Sequence, residues 1–144
     1  YRKDAFMGLA DFAHELPRIL DENGGQDSRA TIGKAEILPG APNSVPGAVE
    51  FSLDFRDPSV DVLNELSLAF QRALAAISRR RGLKFAFHVQ GAIQPVPSAP
   101  ELVDLLQSEA DGLRLRSCRM LSGAAHDAQL VQADRSSRDD FCAQ

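Results

Sequence analysis

Residues 48–56, with the sequence AVEFSLDFR, alternate between apolar and polar side chains. Successive side chains of a β-strand point to opposite faces, so this pattern predicts a strand with one buried and one solvated face. The buried face would carry Val49, Phe51, Leu53 and Phe55, and the solvated face Glu50, Ser52, Asp54 and Arg56. A chain built on such a strand must cover one face of a sheet with another layer.

Two helical patterns can supply that layer. Asp57 and Pro58 follow the strand as a helix N-cap and first-turn proline, and apolar residues then recur at helical spacing until Gly82. They are Val62, Leu63, Leu66, Phe70, Leu74 and Ile77. A similar stripe occupies residues 4–22, where Pro17 predicts a kink or an early end.

Two further segments are predicted strands. ATIGKAEIL precedes the proline-rich connection PGAPNSVPG, and LKFAFHVQ alternates again, with Leu83, Phe85, Phe87 and Val89 facing inward. The order from residue 1 to 94 is then helix, strand, strand, helix, strand. This order predicts an α/β (α+β) fold, a ferredoxin-like unit with both helices on one face of an antiparallel sheet, lacking its first strand.

A second region follows QPVPSAP, a proline-rich boundary. PELVDLLQSEADGL predicts a short amphipathic helix and LRLRSCRML a strand, whereas residues 132–144 show neither period nor apolar mass, which predicts a divergent or disordered tail.

Composition excludes several functional classes. Sixteen Lys and Arg against twenty Asp and Glu give a net charge of −4. The cationic cluster at residues 79–81 complements the end of a helix dipole, so no nucleic-acid partner is expected. No apolar run predicts a membrane span. Cys118 and Cys142 have no metal-type spacing and form no disulfide framework, which favours the cytoplasm.

The residues alone give few candidates for chemistry. His14 and His88 fall at polar positions, where a solvated histidine is the simpler interpretation. In SGAAHDAQ, small residues precede His126 and would let backbone amides approach a ligand, although a tight turn with a helix N-cap explains the same residues equally well. Asn43 could satisfy a turn between prolines, and Arg56 could pair with Asp54 or Asp57.

ATIGKAEILPGAPNSVPGAVEFSLDFRDPS, followed by SGAAHDAQ, resembles the hydantoinase/carbamoylase family of metal-dependent amidases. That family holds N-carbamoyl-L-amino acid hydrolases, allantoate amidohydrolases and β-ureidopropionases, and typically shows TVGxxxxxPNAxNVIPGxVxFSLDxR and a later SGAGHDA. The match spans roughly residues 2–131. Residue 125 departs from it, being Ala where the family usually has Gly.

The resemblance implies that residues 1–94 form a lid and dimerisation domain and residues 95–131 part of a catalytic domain. It implies hydrolysis of the carbamoyl or ureido C–N bond of carboxylate-bearing small molecules. The substrate would be bound by Asn43, Arg56, Gly123, Ala124 and His126. An Arg suits this role because its rigid fork forms two hydrogen bonds with a carboxylate. The implied partner is a second lid in a homodimer.

The resemblance also implies two divalent metal ions, which are zinc, manganese, nickel or cobalt. The family's metal-binding motifs are absent from these residues, so no catalytic residue, no bound metal and no activity are expected of this chain alone. A truncation or frameshift would explain this. The alternatives are a non-catalytic dimerisation module, a decayed gene product and, more weakly, an aminoacylase-type peptidase.

Overall fold

A computed structural model of the chain describes residues 3–124, 126, 127 and 129. The chain divides into two compact units, Tyr1–Ala92 and Ile93–Gln144. The elements in order are α1 (Ala5–Asn23), β1 (Arg29–Leu38), β2 (Ala48–Arg56), α2 (Val60–Arg81) and α3 (Pro100–Gly112). The α+β fold is therefore confirmed. Residues 130–144, which include the predicted tail, lie outside the described residues.

Helix α1 begins at a side-chain cap. The carboxylate of Asp4 accepts hydrogen bonds from the backbone amides of Phe6 at 3.0 Å and Met7 at 3.4 Å, which satisfies donors that have no partner within the helix. Pro17 does not end the helix, which runs on to Asn23. The last turns carry Ile19, which is buried in the core, so packing holds them helical despite the missing amide.

Strands β1 and β2 form an antiparallel hairpin. Their ladder runs from the pair Arg29 and Arg56 to the pair Leu38 and Ala48, with a bulge between Thr31 and Lys34. Residues 39–47 close the hairpin, and the amide of Gly47 donates to the carbonyl of Leu38 at 2.9 Å. Ala30 and Ile32, on the N-terminal part of β1, pack against the core, whereas residues 33–38 are exposed.

The core lies between this hairpin and the two long helices. Phe12 of α1 contacts Phe51 of β2 and Phe70 of α2, with ring centroids 5.7 Å and 6.1 Å apart. Phe55 reaches Phe70 at 5.2 Å. Phe51 and Phe55 lie on the same face of β2, so both helices cover that face, as predicted. Full burial of such a side chain stabilises the fold by about 1.5–3 kcal/mol.

Helix α2 is capped at both ends. Its N-cap is Ser59, whose hydroxyl accepts from the amide of Val62 at 3.4 Å, so the prediction of Asp57 as the cap is wrong by two residues. Asp57 instead accepts from the amide of Ser59 at 2.7 Å. Gly82 ends the helix in the left-handed conformation, with φ of 63°, which glycine adopts without steric cost.

The prediction of a strand at residues 83–90 is wrong, because no ladder hydrogen bonds join this segment to the described strands. Leu83 and Phe85 lie against Gly8 of α1, but Phe87 and Val89 are 61% and 79% exposed. In a β-α-β-β-α-β sandwich the last strand pairs with the first. Among the described residues no strand precedes α1, and residues 83–90 form no ladder with β1 or β2.

The second unit contains α3. Its N-cap position is Ala99, which makes no side-chain capping bond, and none of its residues is buried. Residues 115–123 have no regular structure, so the strand predicted there is wrong. Among the described residues, no helix is long and apolar enough to cross a membrane.

Candidate functional site

Arg56, the last residue of β2, lies on the face of the hairpin that the helices leave uncovered. Its guanidinium donates to Asp54 through Nε to Oδ1 at 2.7 Å and through Nη2 to Oδ2 at 2.9 Å. Residues two apart on a strand share a face, which brings the two side chains together. The sequence suggested Asp54 or Asp57 as the partner of Arg56, and the ion pair with Asp54 is confirmed. The role of Arg56 as a ligand for a carboxylate stays a prediction.

Both members of this pair are charged over the ordinary pH range. The hydrogen bonds from Arg56 hold the pKa of the Asp54 carboxyl below its usual value, against a smaller opposing effect of burial. The same contact raises the pKa of the Arg56 guanidinium. The side chains are about half exposed, at 57% and 54%, so water screens much of their attraction.

A second arginine lies opposite the first in the ladder. Arg29 of β1 is paired directly across the ladder from Arg56, which places their Cβ atoms about 5 Å apart on the same face. Arg29 donates through Nη1 to the carbonyls of Ser28 at 2.8 Å and Gln26 at 3.2 Å. This end of the uncovered face therefore carries two cations and the single carboxylate of Asp54, which suits an anionic ligand.

A buried polar network supports this end of the hairpin. The Ser28 hydroxyl donates to Asp57 Oδ2 at 2.5 Å and accepts from the amide of Gly25 at 2.7 Å. Ser28 and Asp57 are only 7% and 8% exposed. They directly adjoin Arg29 and Arg56 in the sequence, so the network fixes the backbone from which both guanidinium groups project. No local sequence pattern predicts this network, because it joins positions 29 residues apart.

Asn43 lies at the other end of the hairpin. It is an exposed residue of the connection 39–47, which follows the ladder pair Leu38 and Ala48, whereas Arg56 belongs to the opposite terminal pair. The eight residue steps of β2 from Ala48 to Arg56, at about 3.3 Å each, amount to roughly 26 Å. The fold thus puts the two predicted carboxylate ligands at opposite ends of one hairpin.

The remaining predicted ligands lie in the second unit. Gly123, Ala124 and His126 are exposed. The Ser122 hydroxyl lies 2.6 Å from Nε2 of His126 and accepts from the amide of Ala124 at 3.4 Å. This contact fixes the ring of His126, and the Ser four positions before the His is the signal that could have predicted it. Ala125, the position that departs from the family pattern, lies outside the described residues.

A separate charged cluster joins the two helices of the first unit. Asp11 of α1 accepts from Nη2 of Arg80 and from Nη2 of Arg81, each at 2.7 Å, and also from Nε of Arg81. These hydrogen bonds lower the pKa of Asp11 well below its usual range. A shallow cavity of about 330 Å³ beside them is lined by Lys3, Asp4, Arg80 and Arg81. It contains none of the predicted site residues.

The described residues do not fit a metal centre. Within them, no group of three or more His, Cys, Asp or Glu side chains is arranged to hold an ion. The chemistry that this part of the chain offers is hydrogen bonding and charge pairing, which bind and orient a ligand.

No family model matches the chain, but known proteins are similar to it in sequence and in fold. It is 31% identical over 135 residues to allantoate amidohydrolase of Bacillus subtilis (strain 168), covering 91% of this chain and 32% of the relative. It is 28% identical over 130 residues to N-carbamoyl-L-amino-acid amidohydrolase of Pseudomonas sp. (strain NS671), covering 90% and 31%. The chain thus spans about a third of the length of these relatives.

The fold agrees with a solved structure. An amidase of the hydantoinase/carbamoylase family from Burkholderia multivorans superposes with a TM-score of 0.85 at 29% sequence identity, covering 90% of this chain and 31% of that chain.

Proposed function

Because the chain is a relative of the hydantoinase/carbamoylase amidases over about 90% of its length, we propose that it supplies the substrate-carboxylate site of an amidohydrolase. The reaction is cleavage of the carbamoyl or ureido C–N bond of an N-carbamoyl-L-amino acid or a ureido acid such as allantoate. Both substrate classes carry a carboxylate beside the group that reacts, so one cationic site can orient either.

The observation that carries the proposal is the position of Arg56. It lies at the end of a strand whose other face is packed, on a face that the helices leave uncovered, and Arg29 lies opposite it in the ladder. A rigid strand places a guanidinium more precisely than a loop does. Holding a substrate in the reacting orientation lowers the activation free energy by several kcal/mol. This is on the order of the effects measured for oriented intramolecular reactions.

The distance between Arg56 and Asn43 supports a site shared by two copies. A carboxylate is far shorter than the hairpin that separates the two residues, so Arg56 of one copy and Asn43 of a second copy would hold it. The proposed partner is therefore a second copy of this chain, as in an isologous dimer. Gly123 and Ala124 would add backbone amides, and His126, held by Ser122, a hydrogen bond to the substrate.

The two divalent ions of the family have no ligands among the described residues, so no step of the reaction is assigned to them. We propose that this chain binds and orients substrate and that it has no hydrolytic activity alone. The cytoplasmic location expected from the cysteines stays a prediction.

Binding of N-carbamoylglycine to the 144-residue chain tests the proposal directly. We expect the Arg56→Lys variant to weaken binding at least tenfold, because a lysine ammonium cannot form both hydrogen bonds of the guanidinium fork. Lys34→Ala is the matched control, since Lys34 lies on the same face of the hairpin and pairs with Glu36. N-carbamoylglycinamide, which lacks the carboxylate, should not bind. Equal binding of the acid and the amide would overturn the proposal.

Activity is tested in a chimera. Residues 3–92 replace the aligned segment of the Bacillus subtilis allantoate amidohydrolase, and hydrolysis of allantoate is compared with that of N-carbamoyl-L-amino acids. We expect Arg56→Lys to lower kcat/KM for either substrate, and Lys34→Ala to leave it unchanged. An unaltered kcat/KM in Arg56→Lys would remove Arg56 from its assigned role.

A dimerisation module without catalytic function is the second candidate. It is favoured by the exposed apolar side chains Phe87 and Val89 and by a sheet with only two described strands, because uncovered edges and apolar patches associate. Sedimentation at micromolar concentration discriminates between the candidates when it is combined with the binding experiment. Self-association without binding of N-carbamoylglycine would favour the module.

A further inference from the structure

We infer that Asp54 is the positioning residue of the carboxylate site: it holds the guanidinium of Arg56 in the plane and direction in which that group receives the ligand. The inference rests on the proposed function, since it needs Arg56 to be the ligand of the substrate carboxylate. It adds a residue whose role is to act through Arg56.

The geometry of the contact fixes orientation. Asp54 meets the guanidinium through two parallel hydrogen bonds, at 2.7 Å to Nε and 2.9 Å to Nη2. A single hydrogen bond leaves a guanidinium free to swing about the contact, whereas a bidentate pair fixes its plane as well. The contact lies along the side edge of the fork, formed by Nε and Nη2, so the plane of the guanidinium is fixed relative to β2.

Arg56 requires such a partner because of its surroundings. Its side chain is 54% exposed at the terminal ladder pair, and a long exposed side chain samples several rotamers. Arg29, directly across the ladder, repels it, since like charges at opposed positions of a sheet are destabilising. The carboxylate of Asp54 offsets this repulsion, while Arg29 itself is directed to the carbonyls of Ser28 and Gln26.

The pair is not needed for the fold. It lies on the uncovered face of β2, opposite the face on which Phe55 packs against Phe70, and exposed ion pairs contribute little to the free energy of unfolding. Replacement of Asp54 should therefore leave the chain folded. Its effect should appear in ligand binding, because a guanidinium that is already oriented loses less conformational freedom on binding.

A competing role makes the opposite prediction. If Asp54 only occupied Arg56 until a ligand displaced it, or only repelled an incoming anion, its replacement by a neutral residue would tighten the binding of a carboxylate. Positioning predicts weaker binding although a negative charge has been removed. The direction of the change therefore separates the two roles.

The variant Asp54→Asn tests the orientation first, by nuclear magnetic resonance of the arginine side chains in the 144-residue chain. We expect hydrogen exchange at Nε of Arg56 to become at least fivefold faster. Glu50→Gln is the matched control, because it removes the same charge from the same face of β2 and has no hydrogen bond to Arg56. Unchanged exchange in Asp54→Asn would overturn the inference, and the thermal midpoint, expected to be unchanged, verifies the fold.

Titration with N-carbamoylglycine then measures the consequence for binding. We expect Kd to rise five- to tenfold in Asp54→Asn and to change less than twofold in Glu50→Gln. Asp54→Glu, which keeps the charge but shifts the carboxylate, should fall between Asp54→Asn and the unaltered chain.

The outcomes distinguish this inference from the proposed function. Failure of the unaltered chain to bind N-carbamoylglycine would overturn both. If the unaltered chain binds and Arg56→Lys loses binding, while Asp54→Asn binds equally well or more tightly, Arg56 keeps its role and the positioning role of Asp54 is overturned.

Discussion

Helices α2 and α3 have the same kind of amphipathic pattern and very different surroundings. Helix α2 buries Leu66, Ala69, Phe70 and Ile77, whereas α3 buries no residue and exposes Leu102, Leu105 and Leu106 by more than half. Their ends differ too: Ser59 caps α2 with its side chain, and Ala99 makes no such bond in α3.

The difference shows that an apolar stripe stabilises a helix only when other elements pack against it. Most helical stability in proteins comes from tertiary packing of the stripe, because a short isolated helix is marginal in water. Helix α2 packs against the hairpin and α1. The stability of each unit depends on the residues that the unit itself buries. The free energy of unfolding should therefore depend on residues of α2 and hardly at all on those of α3.

Truncation of a leucine in each helix is the strongest test of this comparison. Leu66→Ala should cost about 3–4 kcal/mol, because it leaves a cavity in a fully buried site. Leu106→Ala, at a position 63% exposed, should cost less than about 0.5 kcal/mol. Urea unfolding of the two variants measures both. A cost above about 2 kcal/mol for Leu106→Ala would show that α3 has a packed face.

The buried network beside Arg56 should matter next most. Ser28→Ala removes the donor to Asp57 and should cost about 2 kcal/mol, since a buried carboxylate then lacks one of its hydrogen bonds. Ser44→Ala, in the exposed connection of the hairpin, is the control and should be nearly neutral. Denaturant midpoints of the two variants compare them, and equal midpoints would mean that the network contributes nothing.

The N-caps of α2 and α3 test the same comparison with a smaller expected change in the free energy of unfolding. Ser59→Ala should lower the free energy of unfolding by about 1 kcal/mol. Ala99→Ser gives α3 the cap it lacks, so helicity by circular dichroism should rise while the global unfolding midpoint stays constant. A shift of that midpoint would show that the cap of α3 contributes to the stability of the folded chain.

The smallest effect concerns pH and the cluster that joins α1 to α2. The folded pKa of Asp11 is depressed by Arg81 and Arg80, so its stabilising contribution is present above the unfolded pKa of about 4 and is lost as pH falls towards the folded value. We expect a contribution of up to about 1 kcal/mol, because the cluster is only partly buried. Asp11→Asn should flatten the fall in stability between about pH 4 and pH 2. An unchanged slope would contradict this.

Pattern and resemblance together predicted much of the first unit. Alternation in residues 49–55 placed Phe51 and Phe55 on the core face, and the stripe of α2 placed Leu66 and Phe70 opposite them, as the aromatic contacts confirm. The prediction of a strand at residues 83–90 is wrong for a physical reason. A strand forms only when a neighbouring strand offers ladder hydrogen bonds, whereas alternation in the sequence reports only on the side chains.

The sequence by itself determined the elements that depend on local spacing: the hairpin, the two long helices, the left-handed Gly82 and the motifs that carry the family likeness. These follow from side-chain periodicity and backbone sterics within a few residues. Only the tertiary structure decided that Arg29 lies across the ladder from Arg56 and that Ser28 donates to Asp57. It also decided that Asn43 lies at the far end of the hairpin, because the register of a ladder, and not spacing along the chain, sets which side chains meet.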